Sequence, residues 1–253
     1  MIIPLYQPQG SSSHLLAKAY GDSIGEKATH TGTLDPMAEG VLIILTGEDR
    51  FKKGELSDWH KHYQFEILWG VSTDSLDLLG LTLPSFESEI IEFNQIKDQV
   101  TDYLHMTIND FIGEYRQQMP NFSAKRIGGK SAFDLAKSGL EIKDTFTDVE
   151  LFSAKVLGHR EIDSEELLRM IEHKVDRVQG DFRQTQVMNN WHVYLNNLTN
   201  NYLISSVEIE TSKRFYVRAF VRDLSQRLNI PATTFSIVRT QNGEYSIGDC
   251  KTK

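Results

Sequence analysis

The sequence holds a single cysteine, Cys250, so no disulfide can close within the chain, a usage that suits a reducing compartment. No apolar run approaches the ~18–20 residues needed to span a bilayer. No basic stretch followed by a long apolar one opens the chain, so no secretory leader is expected. Positive charge is also scarce: 27 Lys and Arg face 35 Asp and Glu, for a net charge of -8. Taken alone, that balance argues against a nucleic-acid partner, because phosphate binding usually shows as excess Lys and Arg. What remains is 253 residues, 40% of them apolar, enough for a real core in one large domain or two small ones. A soluble cytoplasmic protein is the expectation.

Charge distribution qualifies the total. Lys125, Arg126 and Lys130 cluster in a glycine-containing stretch, and Lys213, Arg214, Arg218 and Arg222 form a second basic run. Acids concentrate in 86–92 and 141–166. Two basic patches on an acidic body are compatible with RNA but do not establish it.

Local patterns outline the elements. Ile2 to Tyr6 reads as a short strand, Pro8 and Gly10 as a turn, and Ser11 to Ser13 as caps for a helix through about Tyr20. Residues 48–58 are polar with some helical character. His60 to Gly70 alternates as a strand with Tyr63, Phe65 and Ile67 on one face. Residues 94–106 put Ile96, Val100, Tyr103 and Leu104 on one side of a helix. Further on, Asp163 and Glu166 are spaced as a capping box ahead of the apolar stripe Leu167, Leu168, Ile171, Val175 and Val178. Tyr202 to Glu210 is a later strand.

The most informative stretch is His30-Thr31-Gly32-Thr33-Leu34-Asp35-Pro36-Met37-Ala38-Glu39-Gly40, ahead of the apolar run Val41 to Leu45. Its glycines and proline break any helix, so the segment before Val41 is expected to be a loop and the run after it a buried strand. The loop carries one carboxylate, Asp35, which the following proline biases away from helical geometry. A loop-borne acid beside a core strand is a common way to present a reactive group, although Asp-Pro also makes ordinary turns. His60 and His62 share a strand face, yet no third ligand is nearby and no metal site is expected. Gly129-Lys130-Ser131 lacks the first glycine of a P-loop, since Ala124 stands there, and no strand precedes it; ATP binding is rejected.

The Asp35 stretch resembles the catalytic motif of the TruB family of tRNA pseudouridine synthases, with Thr29 in place of the leading glycine. Other matches follow in order. Tyr6-Gln7-Pro8-Gln9-Gly10-Ser11-Ser12-Ser13 resembles the opening motif, with Tyr6-Gln7 replacing the usual Asp-Lys pair. Tyr63 takes the place of the tyrosine that stacks on the target base, and Asp77, in Thr73-Asp74-Ser75-Leu76-Asp77, that of an acid ordering the ion pairs of the site. Pro120 to Lys130 is similar to a segment that closes over the tRNA T-loop, where Ser123, Lys125, Arg126 and Lys130 would contact RNA. In Ser212 to Leu224, Arg218 matches the arginine that pairs with the catalytic aspartate, while Arg214-Phe215 replaces Gly-Thr. Val238, in the last strand, corresponds to an apolar residue lining the uracil pocket. His30, Thr31 and Gly32 would meet the nucleotides that rearrange. Residues 158–201 form a long insertion, expected to be a helix packed on the body for stability, with an added RNA-contacting or partner surface as the alternative.

The resemblance implies an α/β (α+β) fold with a central, mainly antiparallel mixed sheet flanked by helices. It also implies one catalytic domain over 1–253, with no room for the C-terminal PUA domain of many bacterial relatives, and a monomer. The implied activity is isomerisation of the tRNA T-loop uridine at position 55, with Asp35, Tyr63 and Arg218 as catalytic residues and no cofactor. Rejoining a base through C5 changes no redox state and gains no atom. A relative acting on another RNA, or a tRNA-binding or tRNA-folding protein that has lost catalysis, are the competing expectations.

Overall fold

The computed structural model describes residues 1–83, 92–120, 122, 126–127, 130–131, 145–196 and 201–251, with backbone alone at 126–127 and 130–131. Alternation of apolar side chains along three long strands organises it. In β4 (Lys61–Trp69), Tyr63, Phe65, Ile67 and Trp69 join one buried cluster while Leu68 joins another. In β9 (Asn201–Thr211), Leu203, Val207 and Ile209 go one way and Tyr202 and Ile204 the other. Both sheet faces are therefore covered. α3 (Phe93–Asn109) and α6 (Val217–Leu228) pack on the first face, and α4 (Ser164–Asp176) and α5 (Gln184–Asn196) on the second.

The sheet has the order β1 (Ile2–Gln7), β3 (Ala38–Thr46), β10 (Ala232–Asn242), β4, β9, β8 (Phe146–Asp163) and β5 (Gly113–Gln118). β2 (Ala28–His30) adds to β3, and β11 (Tyr245–Ser246) to β10. A separate short ribbon pairs β6 (Arg126–Ile127) with β7 (Lys130–Ser131). Among the described residues every pairing between these strands is antiparallel except β3 with β10, which makes a mainly antiparallel mixed sheet. α1 (Ser13–Ser23), capped by Ser12, and the short α2 (Lys53–Leu56) flank β3.

Three sequence expectations change. The strand after Asp35 starts at Ala38 rather than Val41, because Ala38, Glu39 and Gly40 pair in parallel with Ile237, Val238 and Arg239. Gly40 permits it: its φ is +114°, and a Cβ there would lie 2.2 Å from the Arg239 carbonyl oxygen. Tyr103 is 51% exposed; the stripe of α3 is centred on Val100, Leu104, Thr107 and Ile108 and leaves Tyr103 at its rim. Residues 158–163, expected to open a helical segment, form the end of β8, paired with β9 through Asp163–Asn201. The helical part is the pair α4–α5. Asp163 caps α4 by accepting from the Glu166 N–H at 2.8 Å, and Leu167, Ile171 and Val175 meet Val187, Trp191 and Leu195 of α5 in one buried cluster.

The turn between β9 and α6 carries strain. Arg214 stands at φ +65°, a conformation that a side chain disfavours by about 1–2 kcal/mol, at the position where the TruB-like motif has glycine. Arg214→Gly should therefore stabilise the chain by roughly 0.5–1 kcal/mol, after the extra unfolded-state freedom of glycine is subtracted. Urea unfolding would read this as a higher midpoint with an unchanged slope.

Candidate active site

Four chain segments far apart in sequence meet at the Arg218 side chain. Arg218 lies in the first turn of α6, whose apolar face is anchored by Phe220, Val221 and Leu224, so its guanidinium is carried inward and is 3% exposed. Its Nε donates to Asp35 Oδ2 at 2.8 Å. Its Nη1 donates to the Ser75 carbonyl at 2.7 Å and lies 3.6 Å from Asp77 Oδ2. Its Nη2 donates to the Phe122 carbonyl at 2.7 Å. A buried guanidinium without acceptors would cost several kcal/mol, and each nitrogen here has one. Burial acts to lower its pKa, but the carboxylates of Asp35 and Asp77 outweigh that and raise it.

The two acids differ. Asp77 is buried, and burial pushes its carboxyl above the ordinary range, against the pull of Arg218 and the Ser75 hydroxyl. It accepts from Ser75 Oγ at 2.5 Å and from the Leu79 N–H at 3.0 Å. Asp35 is 28% exposed and faces a cavity of about 410 Å³. Asp77 is therefore the sealed partner of Arg218, and Asp35 the more exposed one.

Asp35 is held by its loop. The Leu34 N–H donates to Ser13 Oγ at 3.0 Å, and that hydroxyl donates to Gln7 Oε1 at 2.6 Å. Gln7 is fully buried and its amide donates to the Ser11 carbonyl. The neutral Gln7, where the motif has lysine, thus ties the β1–α1 turn to the Asp35 loop without supplying a charge. Gly10 N–H donates to the Pro36 carbonyl at 2.8 Å from the same turn.

The cavity is lined by Ser11 to His14, His30, Leu34, Asp35, Ser75, Asp77 and Arg218, together with Phe122, Gln179, Phe182 and Arg183. Of the residues singled out from the sequence, Asp35, Arg218, Asp77 and His30 meet here. Thr31 is buried and Gly32 bonds through its carbonyl to Arg239; neither lines the cavity. Tyr63 lies in the buried cluster that also holds Leu34 and Ala38, and Val238 is half-buried on β10; neither is on the cavity wall. Ser123 and Lys125 fall outside the described residues, and Arg126 and Lys130 are described by backbone alone. Ser11 to Ser13 were legible as helix caps and as part of the opening motif, with no site role attached. Phe182 and Arg183, more than a hundred residues from the Asp35 loop, offered no local signal.

His30 Nδ1 is buried and, among the described residues, has no hydrogen-bond partner. Burial first, then the cations Lys53 and Arg239, push its pKa down to about 4. His60 Nδ1 and His62 Nε2 lie 3.1 and 3.9 Å from Glu210 Oε1.

A profile described as TruB family pseudouridylate synthase (N terminal domain) matches residues 22–184. The tRNA pseudouridine synthase B of Caldanaerobacter subterraneus subsp. tengcongensis is 29% identical over 250 residues, covering 97% of this chain and 70% of that protein. The protein of the same name from Treponema denticola is 27% identical, over 98% of this chain and 61% of its own length. Among solved structures, a chain of a Cbf5-Nop10-Gar1 complex aligns with a TM-score of 0.54 at 17% identity, covering 97% of this chain and 49% of that one. At that identity the likeness concerns the fold alone.

The His30 shift has a pH consequence. Between about 4 and the ordinary 6.5 the unfolded chain takes up a proton at His30 that the folded chain refuses. Stability therefore rises with pH through that window and is lost as pH falls through it. His30→Gln should reduce the acid loss between pH 6.5 and 4 by about 2–3 kcal/mol, read from urea unfolding at stepped pH.

Proposed function

Since the chain belongs to the TruB family of pseudouridylate synthases, we propose that it converts a uridine of tRNA, the T-loop uridine at position 55, into pseudouridine. The observation that carries this reading is the ion pair of Asp35 and Arg218 at 2.8 Å on the wall of a cavity of about 410 Å³, a volume within the range of small-ligand pockets.

The chemistry asks for what these residues offer. The bond from C1′ to N1 breaks, the base turns, and a bond from C1′ to C5 forms. C5 gives up a proton and N1 ends with one, so no co-reactant is consumed. A carboxylate serves as nucleophile at the sugar or at the base, or stabilises charge at C1′. Each route needs one oxygen fixed in direction and kept charged as solvent leaves. The Arg218 guanidinium meets both needs through its charge-assisted bond. Uridine inside a folded loop must be extruded to reach Asp35, as in other enzymes that act on bases. For Tyr63 the proposal is that the base approaches its ring from the Leu34 side, because Leu34 both lines the cavity and belongs to the buried cluster of Tyr63. Stacking on a base contributes about 1–3 kcal/mol. The neutral state of His30 at physiological pH suits it to contact bases rather than phosphate. Lys125, Arg126 and Lys130 would meet the tRNA backbone, and the location that fits this work is the cytoplasm.

The test is to incubate the chain and its Asp35→Asn variant with unmodified tRNA transcripts and map pseudouridine. Product is expected at one T-loop uridine, with the variant slower by several orders of magnitude while still binding tRNA. Equal modification by both proteins would remove Asp35 from the mechanism, and binding without product would favour a tRNA-binding protein instead.

A further inference from the structure

The helix pair inserted between β8 and β9 reaches the cavity. The turn joining α4 to α5 contributes Gln179, Phe182 and Arg183 to its wall. This approach is built in. The Gln179 N–H donates to the Gly10 carbonyl at 2.9 Å, and Gly10, at φ +88°, sits where a Cβ would fall 2.1 Å from the Arg177 carbonyl oxygen. Gln184 clasps the turn from within: its side chain accepts from the Phe182 N–H and donates to the carbonyls of Val178 and Gly180.

The Arg183 side chain repeats, at a second point on the cavity wall, the placement of Arg218. The loop Thr73–Leu81 supplies an acid to each: Asp77 to Arg218 at 3.6 Å and Asp74 to Arg183 at 3.1 Å. Phe122 also serves both, its carbonyl accepting from Arg218 Nη2 and its ring lying 5.0 Å from the Arg183 guanidinium carbon. The exposures differ in kind. Arg218 is sealed at 3%, whereas Arg183 and Asp74 are each 25% exposed. Only Nη2 of Arg183 bonds to Asp74. Among the described residues, Nε and Nη1 make no hydrogen bond, and they belong to a cation on the wall of a cavity whose bottom is an aspartate. A guanidinium steadied by one acid and one aromatic ring, with donors to spare, is suited to a phosphodiester oxygen.

We propose that the α4–α5 insertion is a substrate-binding element and that Arg183 binds a backbone phosphate of the RNA next to the extruded uridine, with Phe182 beside it closing the cavity. The inference rests on the pseudouridine synthase reading and adds to it a second, insertion-borne wall. It assigns the insertion a task beyond packing: its buried stripe fixes the turn, and the turn presents the cation.

The test uses the full chain with Arg183→Gln and Arg183→Lys. Binding of a tRNA transcript is measured against salt, alongside pseudouridine kinetics and the thermal midpoint. The glutamine variant is expected to flatten the slope of log affinity against log salt by about 0.7–0.9, the loss of one phosphate contact. It should raise KM about tenfold, with the larger part of the loss in KM rather than kcat. The lysine variant, which keeps the charge, should restore the slope. An unchanged slope with glutamine would overturn the proposal, and a lowered thermal midpoint with an unchanged slope would make Arg183 a purely structural residue. The slope is a binding measurement, so it decides this point even if the wild-type chain forms no pseudouridine, an outcome that would instead remove the reading of the function.

Discussion

A guanidinium taken out of water is the constraint to which the site conforms. Arg218 is 3% exposed, and its neighbours are chosen by what it must donate to: a carboxylate on Nε, a carbonyl and a second carboxylate around Nη1, and a carbonyl on Nη2. Moving such an ion inward costs several kcal/mol unless its donors are met. Removing any one acceptor would leave a buried charge partly unsatisfied. Asp35, Ser75, Asp77 and Phe122 come from three loops, so the three loops must hold their shapes together. The side chain thus acts as a template for the loops as much as a partner of the acid.

The sheet makes that possible. The parallel contact of β3 with β10 brings the end of the Asp35 loop against Ile237 to Arg239, and Arg239 returns bonds to Val41 and Gly32. The loop carrying Asp77 docks on the start of the same β10: Thr234 N–H donates to the Leu76 carbonyl, and the hydroxyls of Thr73 and Thr233 lie 2.8 Å apart. One strand therefore references both acids to a common frame. α6 then enters from the far side with Phe220 and Leu224 packed into the large cluster, which sets the direction of Arg218. Precision of this kind comes from rigid elements rather than from the loops themselves.

What the sequence disclosed follows the range of the interactions. Val41 to Leu45 read as a buried strand because five apolar residues in a row are a local fact, and all five are fully buried. Leu167, Ile171 and Val175 announced a helix by spacing, and they do line its buried face. The join of Asp35 to Arg218 is different. Composition and spacing placed Arg218 only in a basic run, and resemblance to a family motif alone brought it to Asp35 across 183 residues. The first residues of β3 were missed because a parallel partner at the other end of the chain, not local propensity, makes them a strand. Gln7 looked like the loss of a charge, and its part in a chain of hydrogen bonds to Leu34 depends on Ser13 standing between them. Arg183 was invisible for the same reason: nothing near it in sequence points to Asp74 or Phe122.

The distribution of backbone strain supports the division between frame and site. Among the described residues, four that are not glycine have positive φ: Leu76, Arg183, Arg214 and Asn229. Asn229 closes α6 in the left-handed geometry usual for a helix end, and asparagine tolerates it well. The other three stand beside the cavity's own groups. Leu76 separates Ser75, which accepts from Arg218, from Asp77; Arg214 precedes the helix that carries Arg218; Arg183 is on the wall itself. Residues held in such conformations cost on the order of 1–3 kcal/mol and persist only where the surroundings over-determine them. Here the surroundings are the two covered faces of the sheet, which stabilise the fold enough to tolerate the distortion. Among the described residues, such strain at three of the four positions falls in loops that aim charged groups, which is what a site shaped for one geometry leaves behind.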